Sequence, residues 1–501
     1  MNPRASAATG VLAVGAALTV SELLAAVFDV PESPLLAVAQ HAVDLTPAPL
    51  IKPIIDLVGT ADKPLAVAVT VVVLLALGAV AGRAWIERRQ VSLTLVGGFT
   101  ALGTLAVLTR PEPSAAAVVA TVAGAAAALA VLHLLQDRLA EDAPDGTRRS
   151  FLVGAAVVLV GIVASGVGGQ LLAERRRRRA ELERARASLD LPLEPTSTPA
   201  GADLGIDGQR PWTTPNRDFY RIDTALSPPL LDASEWSLRI HGLVDREITV
   251  TYDDLVARGL TEAWVTLCCV SNEVGGDLIG NANWSGVPMA DLLAEAGVQD
   301  GADCLLSTSV DGWTCGTPLE AVTDGRNALL AVGMNGEPLP VRHGFPVRQV
   351  IPGLYGYVSA TKWVVDWEVT RFAEVEAYWT QRGWGERGPI KTQSRIDLPA
   401  PNSTVRAGQQ VIAGVAWHQH TGISAVEVRV DEGDWVGATI GEVDTVDTWV
   451  QWSVPWDATP GRHTIEVRAT DADGRVQTQE RADVLPDGAT GWHSVDVAAQ
   501  A

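Results

Sequence analysis

Long apolar segments dominate the first third of the chain, with few polar positions between them. Five have the length and composition of a membrane-spanning helix, namely residues 10–29, 64–82, 91–109, 115–136 and 151–172. A further stretch, 34–59, carries His41, Asp44, Lys52, Asp56 and several prolines, which favours an interfacial or re-entrant segment over a full span. The pattern predicts an all-α transmembrane bundle over residues 1–173.

Arginines near the short loops predict the orientation of these spans. If Arg4 is cytoplasmic, five spans leave the arginine-rich loops at 83–89 and 138–149 on the same side and the C-terminal half outside. Five consecutive arginines at 175–179 argue against this orientation. However, Thr147-Arg148-Arg149-Ser150-Phe151-Leu152 resembles the twin-arginine export motif, whose transport route carries folded proteins. We therefore expect a multi-pass protein of the cytoplasmic membrane with its C-terminal half on the extracytoplasmic face.

The second half of the chain is polar and changes character twice. Residues 174–208 predict a basic helix, which suits anionic lipid headgroups, and then a Pro-rich linker. Residues 209–392 mix strands such as Trp236–His241 with helices that begin at Tyr252 and at Met289, the second closed by Gly297, and this order predicts an α+β domain.

Residues 393–501 show regularly spaced strand segments. These are Val411–Ala416, Ala425–Val430, Trp449–Val454, His463–Ala469 and Val476–Arg481. Such spacing, with Gly461 and Asp473-Gly474 as turns, is typical of an immunoglobulin-like β-sandwich.

Charge and cysteine content limit the partners and cofactors. The 501 residues carry a formal net charge of −21, mostly in the second half, which argues against nucleic acid as a partner. The four cysteines include no Cys-x-x-Cys pair for haem, zinc or an iron–sulfur cluster. Cys304 and Cys315 form either a disulfide or two buried thiols. His41 and His133 fall in different loops or levels, so that a haem between them is not expected, and electrons need a separate partner, a quinone or a redox protein.

Two polar clusters interrupt the soluble half. The apolar run Trp264–Leu267 ends in Cys268, Cys269 and Asn272, and His343-Gly344-Phe345-Pro346-Val347-Arg348 is followed by Lys362-Trp363. A thiolate is a soft ligand for a transition metal, and His, Arg, Lys and loop amides suit phosphate and pterin groups. Because successive strand side chains point to opposite faces, we expect one of the two adjacent thiols to be the ligand and the other to be its inward-facing structural neighbour.

These clusters resemble the motifs of the sulfite oxidase family of molybdenum enzymes. The family's Thr-Leu-x-Cys-x-Gly-Asn matches Thr266 to Asn272, its His-Gly-Phe-Pro-Leu-Arg matches His343 to Arg348, and its Val-Lys-Trp matches Thr361 to Trp363. The resemblance implies a molybdenum–molybdopterin cofactor ligated by Cys269, a molybdopterin-binding fold over 209–392, and a sandwich that mediates homodimerisation. The residues it implies at the cofactor are Phe219, Tyr220, Arg221, Asp311, His343, Arg348, Ser359 and Lys362.

The chain departs from the family where sulfite would bind. An arginine aligns with Ile222, beside Arg221, and another with Ser359, while the family's tyrosine near the metal aligns with Trp384. Two arginines after the ligand cysteine are replaced, and Glu273 adds a negative charge. Fewer cations weaken recognition of a dianion, so we expect a small-molecule or protein-bound sulfoxide, or another S- or N-oxide, as substrate. Arg221 and Trp384 then join Cys269 as catalytic candidates.

Two alternatives are left open by the sequence. The first is a sulfite dehydrogenase with a modified pocket. The second, from another class, is a cofactor-free interaction protein that retains the same fold. The intact set of Cys269, His343 and Arg348 argues against the second.

Overall fold

The computed structural model describes residues 3–28, 30, 32–47, 62–111, 113–140, 178–193 and 196–501. The chain divides into two compact units, Met1–Glu181 with Ala225–Pro228, and Leu182–Thr224 with Pro229–Ala501. Each unit is described by itself below.

The first unit is built from apolar helices. They are α1 (Pro3–Val27), α2 (Pro34–Asp44), α3 (Asp62–Glu87), α4 (Arg89–Leu108) and α5 (Ala115–Ala140). Within the described residues, four of them contain segments long and apolar enough to cross a membrane: Arg4–Val27, Lys63–Trp85, Arg89–Leu108 and Ala115–Gln136. These match four predicted spans, whereas the predicted span 151–172 lies outside the described residues. Part of the predicted interfacial stretch forms α2, which Ser33 caps.

Small residues set how closely α1 and α3 approach. A Cβ atom on Gly10 would lie 1.8 Å from the Gly78 carbonyl oxygen, and one on Gly82 would lie 2.2 Å from that of Ser6. Gly78 and Gly82 form a Gly-x-x-x-Gly pair, the spacing that lets apolar helices pack backbone to backbone. Gln136 of α5 closes this end of the bundle, since its amide donates to the carbonyl oxygens of Ser6 at 3.2 Å and Gly82 at 2.7 Å.

The second unit begins with two five-stranded sheets connected by short helices. The first sheet has the order β2-β1-β10-β5-β6, and the second has β3-β4-β7-β8 with β9 paired to β7. Strand bounds are β1 Ser237–Gly242, β2 Ile248–Thr251, β3 Thr261–Cys268, β4 Ile279–Pro288, β5 Cys304–Ser309, β6 Thr314–Pro318, β7 Leu329–Met334, β8 Glu337–Pro338, β9 Arg348–Val350 and β10 Val364–Thr370.

The helices here begin and end as the sequence predicts. Tyr252–Ala257 starts at a capping box made by Thr251 and Asp254. Met289–Ala296 ends at Gly297, whose φ of 74° is readily adopted only by glycine. Short helices also span Glu320–Thr323 and Gly356–Ser359.

The C-terminal part adds two further sheets around a core of its own. One has the order β11-β13-β17-β16 and the other β12-β19-β18-β14-β15, and Ile412, Trp452, Ile465 and Val497 are among the buried side chains between them. Their bounds are β11 Gln393–Leu398, β12 Thr404–Arg406, β13 Gly408–Trp417, β14 Ile423–Val430, β15 Val436–Gly437, β16 Thr439–Ile440, β17 Val450–Ala458, β18 Gly461–Asp471 and β19 His493–Gln500.

One predicted strand, Val476–Arg481, is wrong. Its backbone pairing is limited to an isolated bridge between Thr470 and Val476 and one hydrogen bond from the Gln477 N–H to the Ala469 carbonyl oxygen. The buried Gln477 side chain accepts from the Ala469 N–H and donates to the Gly491 carbonyl oxygen. The strand that completes the sheet is β19, which lies parallel to β12 and antiparallel to β18.

The thiols of β5 and β6 are unpaired. Cys315 lies opposite Ser307, while Cys304 lies three residues before Ser307 and opposite Pro318. Because side chains alternate along a strand, the two thiols point to opposite faces of the sheet. Both are buried free cysteines, so that the alternative of two buried thiols holds and the disulfide does not.

Candidate functional site

Residues from five chain segments line one cavity in the second unit. They come from 219–224, from 269–271 directly after β3, from the β5–β6 hairpin, from 343–363, and from 379–384. Eight of the predicted site residues line it: Phe219, Tyr220, Cys269, Asp311, His343, Arg348, Lys362 and Trp384. The structure therefore brings together motifs that lie more than a hundred residues apart in the chain.

A tight loop after β3 presents Cys269 to the cavity. The Cys269 N–H donates to the Leu278 carbonyl oxygen at 2.9 Å, and the Leu278 N–H donates to Asn272 Oδ1 at 2.8 Å. The Asn of the ligand motif thus closes the loop. Burial raises the pKa of the Cys269 thiol, while hydrogen bonds from Ser271 oppose this rise. Cys268 is also buried but does not line the cavity.

A backbone bridge joins the two cationic motifs. Arg348 and Lys362 pair as an antiparallel bridge, and the Gln349 N–H donates to the Thr361 carbonyl oxygen at 2.8 Å. Gly344 permits this approach, because its φ is 113° and a Cβ atom there would lie 3.0 Å from Arg348 Cβ. The two cationic side chains consequently enter the cavity from adjacent backbone positions.

Arg348 is a buried cation held by neutral groups. Its guanidinium donates to the carbonyl oxygens of His343 at 3.1 Å and Gln349 at 3.3 Å, and it stacks 4.8 Å from the Trp284 ring centroid. Burial lowers its pKa to about 10. In the described part of the chain it has no carboxylate partner, which makes it suited to an anionic ligand.

His343 is a neutral imidazole near pH 7. Its Nε2 lies 2.8 Å from the Asn216 carbonyl oxygen and therefore carries the proton that is donated. Burial, followed by the charge of Arg348, lowers its pKa to about 4. The Nδ1 atom is left as an acceptor.

Trp363 has an unusual backbone conformation for a bulky residue. Its φ is 53°, and its ring is 2% exposed although it lines the cavity. Such strained positions cluster at binding sites. Trp363 Nε1 and the nearby lining group Ser309 Oγ are buried and have no hydrogen-bond partner among the described residues. Both are available to a ligand.

Aromatic side chains form one wall of the cavity. Trp384 lies 6.1 Å from Tyr357 and 6.3 Å from Trp379, measured between ring centroids. Trp313 and Trp379 are half-buried and line the same cavity. This wall offers apolar contact area to a substrate.

Two predicted site residues lie outside the cavity lining. The Ser359 hydroxyl is fully buried and donates to the carbonyl oxygens of Leu354 at 3.2 Å and Tyr355 at 3.0 Å. Arg221 lies beside the cavity, with its Nε 3.1 Å from Asp223 Oδ2. Ser359 binds backbone groups around the short helix Gly356–Ser359, whereas Arg221 pairs with Asp223, which does line the cavity.

Two titratable residues at the site were not among the residues predicted from the sequence. Asp223 lines the cavity with a side chain only 4% exposed, and the available sequence signal was its place directly after Arg221 and Ile222. His493, from β19, packs under the ligand loop: a Cβ atom on Gly275 would lie 2.3 Å from its ring. Glu273, which was expected to add negative charge, is exposed and does not line the cavity.

Acid should destabilise the fold through His343 and His493. Burial lowers the pKa of both imidazoles from 6.5 to about 4. The unfolded chain therefore binds more protons between these values, so that stability is present above pH 6.5 and is lost as pH falls toward 4, by at most about 3 kcal/mol per histidine. Tryptophan-fluorescence melting of the full chain in detergent from pH 7 to 4.5 measures this loss.

The control is His493→Asn, which keeps an acceptor for the Ile396 N–H that His493 Nδ1 now binds at 2.9 Å. This variant should lose less stability in acid than the wild type. An equal loss in both proteins would exclude a contribution from His493.

Comparisons with known proteins agree with this geometry. The family model described as "Oxidoreductase molybdopterin binding domain" matches residues 225–379. A Bacillus subtilis protein, "Uncharacterized oxidoreductase YuiH", is 34% identical over 170 residues, covering 34% of this chain and 82% of that protein. Mitochondrial sulfite oxidases of Rattus norvegicus and Homo sapiens are each 30% identical, covering 46% and 48% of this chain and 50% and 52% of those proteins. The chain thus spans about half the length of these sulfite oxidases.

A solved structure shares the fold. The sulfane dehydrogenase SoxCD from Paracoccus pantotrophus has a TM-score of 0.51 at 24% identity, covering 60% of this chain and 85% of that one. The comparisons support an enzyme rather than the cofactor-free interaction protein, and they imply a molybdenum–molybdopterin cofactor. This chain belongs to the sulfite oxidase family of molybdopterin-dependent oxidoreductases.

Proposed function

We propose that this enzyme transfers an oxygen atom in a two-electron reaction on a sulfoxide or another S- or N-oxide. The observation that carries the proposal is the balance of charge in the cavity beside Cys269. The charged lining residues are two cations, Arg348 and Lys362, and two carboxylates, Asp223 and Asp311. A dianion gains little from such a cavity, while a neutral oxide can pack on the wall of Trp313, Trp379 and Trp384.

The donors of the cavity fit a molybdopterin. Cys269 supplies a single soft ligand, and Arg348 is a buried cation without a carboxylate partner in the described part of the chain. Ser309 Oγ and Trp363 Nε1 are buried donors that still lack an acceptor there. In this proposal Arg348, Lys362 and His343 Nδ1 hold the pterin and its phosphate, with Tyr220 and Phe219 packed beside them.

The bound cofactor would supply two-electron oxygen-atom transfer chemistry. Reduction of a sulfoxide consumes two electrons and two protons and releases a sulfide and water. Tyr220 keeps its hydroxyl proton, since burial and the neighbouring thiols of Cys269 and Cys268 raise its pKa well above 10. It can thus donate a hydrogen bond to the oxide oxygen. Trp384 and Trp379 orient the organic part of the substrate and exclude water.

The setting of the active site is part of the proposal. The four apolar helices would anchor the enzyme in the cytoplasmic membrane, with the catalytic part on the extracytoplasmic face, as the arginine pattern and twin-arginine-like motif predict. A separate quinone or redox protein would deliver the electrons. We further propose the domain limits 1–173, 174–208, 209–392 and 393–501, and an immunoglobulin-like sandwich in the last of these that pairs two copies of the chain.

A substrate screen of the molybdenum-loaded full chain tests the proposal. Reduced viologen dye supplies electrons for methionine sulfoxide, dimethyl sulfoxide and an amine N-oxide, and ferricyanide accepts them from sulfite. We expect turnover with at least one oxide and a kcat/KM for sulfite lower by about a hundredfold or more, because the cavity has no net positive charge. Efficient sulfite oxidation without oxide reduction would favour the alternative, a sulfite dehydrogenase with a modified pocket.

A further inference from the structure

Asp223 bridges two basic side chains at the cavity. Its Oδ2 lies 3.2 Å from Lys362 Nζ and 3.1 Å from Arg221 Nε. The carboxylate is 4% exposed and the Lys362 side chain 12% exposed, so that water screens this contact weakly. A buried charge of this kind is kept in place by its partners, because separating them leaves both poorly solvated.

This bridge changes what the cavity presents to a ligand. Arg221 is turned toward Asp223 and does not line the cavity, while Lys362 lines it with its charge already matched by a carboxylate. The neighbouring position, where the family has an arginine, is Ile222, an exposed apolar side chain that also lines the cavity. In the three-residue segment 221–223, the only charged side chain that lines the cavity is therefore a carboxylate, whereas the family has an arginine in this segment.

We propose that Asp223 is a specificity-determining residue that excludes dianionic substrates from the cavity. It acts in two ways: its own charge repels a dianionic substrate, and its ion pair with Arg221 keeps that second cation out of the cavity lining. A neutral oxide is unaffected by either. The choice of a neutral oxide as substrate rests on the proposed function, whereas the exclusion of dianions can be measured without it.

Sulfate binding to the molybdenum-loaded full chain tests Asp223 directly. Sulfate is a stable tetrahedral dianion, and its dissociation constant is measured by titration calorimetry at fixed ionic strength. Asp223→Asn removes the charge at nearly constant shape. We expect sulfate to bind at least about tenfold more tightly to this variant than to the wild type, because one unit of charge is removed inside a poorly screened cavity.

Two further variants separate charge from shape. Asp223→Glu keeps the charge, and it should bind sulfate as weakly as the wild type does. Asp218→Asn removes one charge from an exposed residue five positions earlier, and it should leave the dissociation constant unchanged. The molybdenum content of each preparation is measured so that binding is expressed per loaded site.

Each outcome decides the proposal. Tighter sulfate binding in Asp223→Asn alone supports it. Unchanged binding in Asp223→Asn, or equally altered binding in the Asn and Glu variants, overturns it and leaves Asp223 a structural residue. If the wild type reduces no oxide but Asp223→Asn still binds sulfate more tightly, the proposed substrate fails while the role of Asp223 stands. If the wild type reduces oxides and Asp223→Asn binds sulfate no more tightly than the wild type, the proposed substrate stands and the role of Asp223 fails.

Discussion

Replacing Cys269 by Ser should abolish turnover, with a loss of at least about a thousandfold in kcat. A serine hydroxyl ionises far less readily than a thiol and is a hard ligand, so that it cannot replace the thiolate at a transition metal. The loop should still form, since Asn272 and the backbone of Leu278 close it without the thiol. X-ray absorption spectroscopy at the molybdenum edge should show one fewer sulfur neighbour.

Cys268→Ser is the matched control. This thiol belongs to the adjacent residue and is also buried, at 1% exposure against 8% for Cys269, but it does not line the cavity. We expect it to keep the molybdenum–sulfur signal and most of the activity, at some loss of stability because a hydroxyl is buried in place of a thiol. Equal loss of the metal signal in both variants would mean that Cys269 is not the ligand.

Replacing Arg348 by Met should give the largest loss of cofactor. Removing one partner of a buried, hydrogen-bonded charge pair costs about 2–5 kcal/mol of binding free energy, which is roughly 30-fold or more in affinity. The apoprotein should not be destabilised, because an unpaired buried cation is exchanged for an apolar side chain of similar length. Molybdenum and pterin content after prolonged dialysis, together with the melting temperature of the apoprotein, measure the two effects.

Arg326→Met is the control for this prediction. Arg326 is also largely buried and donates to the Pro352 carbonyl oxygen, but its carboxylate partner is Asp324 and it does not line the cavity. This variant should keep its cofactor and lose stability, the opposite pattern to Arg348→Met. Retention of cofactor by Arg348→Met would show that its guanidinium does not bind the pterin phosphate.

Local sequence patterns predicted the structure correctly wherever the residues of one short segment determine it. Gly297 ends the helix Met289–Ala296 because a single residue must adopt a positive φ. The four apolar helices follow from length and composition alone. The family was recognisable for a similar reason, since each motif is a compact run of residues whose backbone and side chains serve one ligand.

The wrong or undecided predictions concern strands and cysteines whose pairing depends on residues distant in the sequence. Val476–Arg481 has the composition of a strand, but its backbone pairing stops after a single bridge at Val476, and the buried Gln477 side chain binds backbone groups of Ala469 and Gly491. The strand β19 was not predicted, because it is defined by its pairing with two strands, β12 and β18, that come from distant parts of the sequence. Whether Cys304 and Cys315 pair was equally undecidable, because it depends on the register of β5 against β6.

The sequence by itself determined the ligand cysteine candidate, the cationic motifs, the apolar helices and the family, because these depend on residue identity at short spacing. Only the tertiary structure decided which charges enter the cavity. It placed Asp223 inside and Glu273 outside, turned Arg221 toward Asp223 and buried Ser359. It also made His343 neutral through burial and the charge of Arg348, with Nδ1 as the acceptor because Nε2 lies against the Asn216 carbonyl. Electrostatic character depends on distance and solvent exposure, and both arise only when segments remote in the chain are packed together.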